Sequence, residues 1–519
     1  MTLSALTHRG LTVPMLSVLL FFSVMEPSMS QTSDQIANPN GNAVAASEPP
    51  ELRTTLGDQQ SVAVTIYNDD LALVKDRRAL SLPAGRVALA FRDVSARIRP
   101  QTALLRDVDG GGLTVIEQNF DFDLLTPAKL LEKYVGRQVG LVTTHPTSGE
   151  RTEEQARVLS ASNGVVLRIG DRIETAGFDS SAGGQPIGLG GHIVYRDIPA
   201  NLRDRPTLVL SLNQPADAAA GERTLELSYL TGGLSWQADY VGELAPDQDQ
   251  LDLNGWVTLE NQSGTSYRDA RLQLVAGEVN QVPEQMPQLR RMADAPRAMA
   301  EAAPSMAEEA LFEYHLYTLG FPTTIADNQS KQVSLLNAAG VTVDKELLIS
   351  GSQAGFRQPR GALTDKLDVQ VYLTLVNAES ANLGMPLPEG VVRIYQRDSD
   401  GNLQFIGEDS IDHTPKNETL RLLLGNAFDV TAEKKQTDFQ KRSGTGPWQY
   451  EFESAYEIEV RNAKAEPQTV TLRETIPGDW TLLSESAPHV KANANTAEWQ
   501  LEVPAEGERV LTYRARVRF

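Results

Sequence analysis

Glu408, Asp409, Asp412 and His413, with His315 standing well apart in the chain, are the residue types from which a hydrolytic or divalent-metal site is built. Carboxylates and imidazoles hold metals and move protons only when their polar ends lie within a few ångströms of one another. Tyr317 joins them as a candidate binding residue, because alternation along Tyr314-His315-Leu316-Tyr317 puts it on the same strand face as His315. No His-x-Glu-x-x-His or other ligand spacing accompanies these residues, so a site here depends on tertiary convergence. Asp412-His413-Thr414-Pro415 reads more simply as a turn with a locally bonded imidazole. The six are therefore binding candidates, with no catalytic or metal-ligating residue assigned.

Other chemical signatures dissolve on inspection. Asp398-Ser399-Asp400-Gly401-Asn402 opens like a calcium loop, yet Asp409 stands where the closing glutamate belongs. A hairpin between strands at 391–397 and 403–406 accounts for the same residues. Gly183, Gly184, Gly188, Gly190 and Gly191 lack phosphate-loop spacing and fit a hairpin tip. Met286, Met292, Met299 and Met306 cluster as soft copper ligands would, without Met-x-x-Met spacing. No Gly-x-Ser-x-Gly elbow occurs. The chain has no cysteine, which removes thiol nucleophiles, thiolate-bound zinc, iron–sulfur clusters and disulfides. No cofactor is implied.

The first thirty residues explain the missing thiols as a matter of compartment. Arg9 precedes an apolar run from Leu11 to Val24, and Ser28-Met29-Ser30 supplies small residues for cleavage after Ser30. The run falls short of the roughly 20 residues that span a bilayer, which favours a cleaved signal over an anchor. A periplasmic or secreted location follows as an expectation, and after cleavage the chain is not expected to be an integral membrane protein. The formal net charge of −21 argues against nucleic-acid binding and against docking on anionic lipid.

About 490 residues remain, too many for a single core. Period-two alternation dominates them, as in residues 61–66, 369–375 and 456–460 and in the terminal run Leu511, Tyr513, Ala515, Val517, Phe519. Sheets with one wet face follow, so the expected class is mainly β: tandem antiparallel sandwich or small-barrel modules with few short helices. The expected organisation is a signal at 1–30, a disordered tether at 31–58, and an N-terminal β module at 59–133 with a short helix near 127–135. A small barrel-like module spans 134–200, and a sandwich spans 201–283. An Ala/Met/Pro-rich flexible insertion at 284–310 precedes a central β module at 311–445 and an immunoglobulin-like sandwich at 446–519. The terminal phenylalanine on an alternating strand also suggests an outer-membrane barrel, but aromatic content of 6% is low for its girdles.

Several ordered blocks carry a resemblance. They are residues 229–240 (Tyr229 through Trp236 to Tyr240), Leu253-Asn254-Gly255-Trp256, Asn261-Gln262-Ser263-Gly264-Thr265, residues 274–280, Tyr314-His315-Leu316-Tyr317, Leu387-Pro388-Glu389-Gly390, and Gly407-Glu408-Asp409 with Asp412-His413-Thr414-Pro415. Together they resemble the bacterial family called domain of unknown function 4139, related to mucoidy-inhibitor-A-like proteins, from about residue 60 onward. The resemblance implies an exported or envelope protein of mainly-β build and transfers no activity. Unlike the mucoidy-inhibitor-A-like members, this chain has no long coiled-coil segment between its β parts. The expectation is a non-catalytic, exported protein that binds or organises a cell-envelope protein or polysaccharide, its oligomeric state open. An envelope hydrolase or metal-dependent enzyme using Glu408–His413 and His315 is the alternative.

Overall fold

Alternation dictates which way the regular strands face. In Gln59–Tyr67, Val62, Val64 and Ile66 are buried while Ser61, Ala63 and Thr65 are not. In Gly507–Arg518, Leu511, Tyr513, Ala515 and Val517 point inward, and the arginines between them stay partly exposed. A computed structural model describes residues 51–519 except 111, 122–123, 146, 163, 180–184, 188–190, 200–201, 216–220, 282–305, 361–363 and 445. The export signal, residues 31–50 of the tether expected at 31–58, Met286, Met292, Met299, Gly183, Gly184, Gly188 and Gly190 lie outside the described residues, whereas residues 51–58 are ordered as the strand Glu51–Thr54 and the 3-10 turn Leu56–Asp58. Within the described residues the fold is mainly β, in sheets of four, six, eight, ten and five strands, with one α-helix, Pro127–Lys133. Thr126 caps that helix by accepting from the Lys129 N–H, and Pro127 fills its first position.

The eight-stranded sheet is shared between two packings. Its order is Ala307–Leu311, Tyr314–Thr318, Tyr267–Ala276, Gln59–Tyr67, Leu71–Ser81, Glu222–Thr231, Leu104–Asp107, with Thr323–Ile325 off that path. Part of it packs on the four-stranded sheet, where the Arg78 guanidinium lies 3.9 Å from the centre of the Phe91 ring. Another part meets Leu234–Leu244 of the ten-stranded sheet. One apolar core serves both packings. The chain switches from the eight-stranded to the ten-stranded sheet at Gly232-Gly233. Gly233 has φ +81°, donates its N–H to Asp70 Oδ1 at 2.6 Å, and has no room for a Cβ, which would sit 2.7 Å from Ser263 Cα.

The six-stranded sheet, spanning 138–194, has its own core of Val139, Leu141, Val158, Val165 and Leu167, closed by Leu131 and Tyr134. Its two edge strands, Gln185–Ile187 and Gly191–Val194, are neighbours in the chain. A flat sheet would set its edges about 24 Å apart, whereas four peptide steps span at most about 15 Å. The sheet is therefore curled, yet open.

A long strand carries the large core into the C-terminal sandwich, and Val369–Val376 beside it also serves both, with Leu373 and Leu375 in the large core and Val369 in the C-terminal one. Gln329–Ser350 runs 22 residues, pairs first with Gln250–Asn261, and then with Val369–Val376 and Gln468–Thr475. A second core gathers there around Tyr456, Trp499 and Tyr513, with Trp499 stacked on Tyr513 at 5.1 Å. The terminal Phe519 lies under the Arg357 guanidinium at 3.7 Å and against Phe452, so it packs into this sandwich.

Three buried asparagines fasten the points where strands end. Asn261 donates to the carbonyls of Thr265 (2.9 Å) and Ile325 (3.2 Å) and accepts from the Ser263 N–H (3.0 Å). Asn462 repeats the pattern with Glu466 (2.8 Å), Pro504 (3.0 Å) and the Lys464 N–H (3.0 Å). Asn377 holds the carbonyls of Met385 (2.7 Å) and Pro415 (2.9 Å) and accepts from the Gly384 N–H (3.0 Å). A buried amide satisfying three backbone groups leaves three orphans when it is removed. Asn261→Ala is expected to lower unfolding free energy by about 2–4 kcal/mol in urea titration, against less than ~0.5 kcal/mol for exposed Asn402→Ala.

Arg203 ties the two edges of the four-stranded sheet together, reaching Glu51 at 2.8 Å and Asp121 at 2.9 Å. The Arg203 hydrogen bonds, with help from Arg53, lower the Glu51 carboxyl from 4.5 to about 2. A depressed carboxyl stabilises the fold above its unfolded value and loses that contribution as pH falls through the folded value. The stability difference between the wild type and Glu51→Gln is expected at about 1 kcal/mol near neutrality, reduced by solvent screening. It should shrink below pH 4.5 and be lost as pH falls through about 2 in acid-dependent melting curves.

Candidate functional site

Each candidate residue has a partner, and the partners differ. His315, on strand Tyr314–Thr318, meets Glu308 of the neighbouring strand through Nδ1 at 2.8 Å. Glu408 pairs with Arg393 at 3.1 Å, and Arg393 also binds Asp239 at 2.9 Å. That Asp239 bond holds the guanidinium above its ordinary range. Asp409 spends both oxygens on backbone, accepting from the N–H of Ser410 at 2.9 Å and of Leu423 at 2.7 Å. Asp412 is exposed, and its carbonyl accepts from the Thr414 hydroxyl at 2.8 Å.

His413 and Tyr317 converge on one short segment, residues 386–389. Tyr317, fully buried on the eight-stranded sheet, donates its hydroxyl to the Pro386 carbonyl at 3.0 Å. Tyr240, fully buried on the ten-stranded sheet, donates to the Pro388 carbonyl at 2.8 Å. Burial pushes both phenols above their ordinary range, so both remain donors at neutral pH. Leu387 and Thr414 exchange backbone bonds at 2.9 and 2.8 Å, and the Glu389 N–H donates to His413 Nδ1 at 3.0 Å. That bond places the proton of the neutral ring on Nε2, which is buried, unpartnered, and 4.0 Å from Glu389 Oε2. Glu389 in turn accepts from Asn68 at 3.0 Å.

The arrangement is thus a clamp on a loop. Among the described residues no hydrogen bond or ion pair joins His315 to Glu408, Asp409, Asp412 or His413, and no three His, Asp or Glu residues gather as a metal would require. The calcium-like loop is a hairpin whose Asp398 carboxylate accepts from Gln404 Nε2 and from the N–H groups of Asp400 and Asn402. These bonds, that of Gln404 first, hold it below the usual carboxylate range.

Sequence reasoning missed two clusters. The Pro386–Glu389 clamp is assembled from four distant segments, those of Asn68, Tyr240, Tyr317 and His413, and leaves no local signal. His489 bonds Glu485 at 2.9 Å and lies 5.8 Å from the Trp480 ring and 5.9 Å from the Trp499 ring, while Trp499 Nε1 also donates to Glu485. Only the four-residue spacing of Glu485 and His489 hinted at that contact.

The model of the family described as Domain of unknown function (DUF4139) matches residues 225–519, more than half of the chain. The protein belongs to that family. No curated protein matches the chain. The family region includes all six candidate residues and all three clamping asparagines. It begins within strand Glu222–Thr231, just ahead of the Gly232-Gly233 corner.

Asp409→Ala is expected to destabilise by about 1–3 kcal/mol, since it strands the partly buried Leu423 N–H. His413→Ala is expected to cost about 1 kcal/mol through the lost Glu389 bond. In calorimetric titration with Zn²⁺, wild type and His413→Ala are expected to behave alike; saturable binding lost in the variant would reverse the structural reading.

Proposed function

We propose that this chain is an exported, non-catalytic β protein that binds or organises a cell-envelope partner, protein or polysaccharide. The observation that carries the reading is the use made of its chemically capable side chains. Asp409, Glu408, His413 and Tyr317 are spent on backbone and local ion pairs within the sheets, while aromatic side chains are left at the surface. Tyr395 and Phe405 form an edge-to-face pair at 5.6 Å on neighbouring strands, with Phe405 54% exposed. Partly exposed Trp256 belongs to the same ten-stranded sheet. Exposed aromatic surface is what recognition of a protein or sugar uses. No described helix is long and apolar enough to cross a membrane.

The test uses the chain beginning at Gln31 and isolated envelope proteins and polysaccharides. Saturable binding, weakened at least about tenfold in Tyr395→Ala/Phe405→Ala, is the expected result. Absence of binding to either class would sink the reading. Amino-terminal sequencing of the protein from cells should begin at Gln31.

A second reading, metal-dependent or hydrolytic chemistry, rests on the unpartnered His413 Nε2 facing Glu389. The zinc titration described above bears on its metal-dependent form.

A further inference from the structure

Lys434 and Glu474 lie inside the C-terminal sandwich, on strands of its two facing sheets. Lys434 belongs to Val430–Ser443 of the five-stranded sheet and Glu474 to Gln468–Thr475 of the ten-stranded one. Lys434 Nζ stands 2.6 Å from Glu474 Oε1, with the glutamate fully buried and the lysine nearly so. Around them pack Tyr456, whose ring centre is 4.4 Å from Nζ, and Phe356 at 5.6 Å. The Gly351 backbone closes over the carboxylate so tightly that a methyl group there would collide with it.

The faces of the Tyr456 and Phe356 rings attract the ammonium, but the rest of this surrounding suits an ion pair poorly. A buried ammonium presents three donors and a carboxylate about four acceptor positions, and each unmet one is costly away from water. The structure supplies one hydrogen bond between them and leaves Glu474 Oε2 without a partner. The Tyr513 hydroxyl is buried, feels the Glu474 charge, and also makes no well-formed hydrogen bond. An amide would fit better. Its single N–H would face the Tyr456 ring, and its carbonyl would accept from Tyr513.

We propose that Lys434 and Glu474 condense into a cross-sheet isopeptide bond. A proton passes from Nζ to Glu474 Oε1 along their 2.6 Å hydrogen bond, the lone pair so freed on the neutral amine bonds to Cδ, and the Cδ–Oε1 bond breaks as a second Nζ proton reaches that oxygen, which leaves as water. No oxidant, reductant or co-reactant is needed. The buried Tyr513 hydroxyl, close enough to the carboxylate to feel its charge, would turn to donate to the oxygen that carries charge during attack. Holding the two groups in contact supplies the effective concentration that such a step requires. The product is neutral, so two buried charges disappear. It also closes a loop between residues 40 apart in a chain that has no cysteine for a disulfide.

Denaturing mass spectrometry of the folded, purified chain is the deciding experiment. The expected mass is lower than the sequence mass by one water, and tryptic digestion should yield a branched peptide joining the Lys434 and Glu474 segments, uncut after Lys434. Lys434→Met should restore the full sequence mass. If that variant fails to fold, the wild-type peptide map still shows whether the two segments are joined. A wild-type mass equal to the sequence mass, with normal cleavage after Lys434, overturns the proposal, as does loss of water located at any other residue.

Discussion

A strand that leaves one sheet of a sandwich carries peptide groups away from its ladder and into the interior, where each needs a partner. In this protein the partner is a buried asparagine. Asn261, Asn377 and Asn462 each present one carboxamide to three backbone groups drawn from their own loop and from a neighbouring segment. The carboxamide is the one uncharged side chain besides glutamine that donates twice and accepts at the same point, so aspartate or serine would leave a carbonyl unmet. Strand exits fixed in this way set where the next strand begins, and with it the register of the sheets that follow.

The same logic explains the segment 386–389. Its carbonyls point into the core and are met by Tyr240 and Tyr317 from opposite sheets. Its outer side is held by His413 and by Asn68. Residues that look chemically capable in the sequence are thus taken up in joining sheets. With no disulfide available, buried polar side chains do this fastening.

Charged residues follow two regimes. The ion pairs on the outer face of Gly507–Arg518 link Arg514, Arg516 and Arg518 to Asp438, Glu453 and Glu451; the arginines and Asp438 stay partly exposed, while Glu451 and Glu453 are buried. Pairs such as Arg78–Asp76 are buried and specify a unique fit, since their desolvation is met only where every geometry agrees. Arg78 satisfies much of its demand through Asp76, the Arg92 carbonyl and the Phe91 face.

The mainly-β class and the inward face of cleanly alternating strands such as Gln59–Tyr67 and Gly507–Arg518 were legible in the sequence, because alternation has a period of two and local sterics enforce it; Tyr314–Thr318, where adjacent Leu316 and Tyr317 are both buried, was not. The inward row Leu234, Trp236, Ala238 and Tyr240 and the need for glycine at 233 could be read from residue type alone. Membership in the family was legible too, through its ordered blocks. The clamp joining Tyr240, Tyr317, Glu389 and His413 was not, because its members are separated by up to 173 residues, a span set by the positions of Tyr240 and His413 (413 − 240). Their contact exists only once two sheets close on each other. The roles of Asn377, His489 and Lys434 were hidden for the same reason. A polar side chain declares its partner only when burial has removed water as the alternative, and burial is decided by tertiary packing.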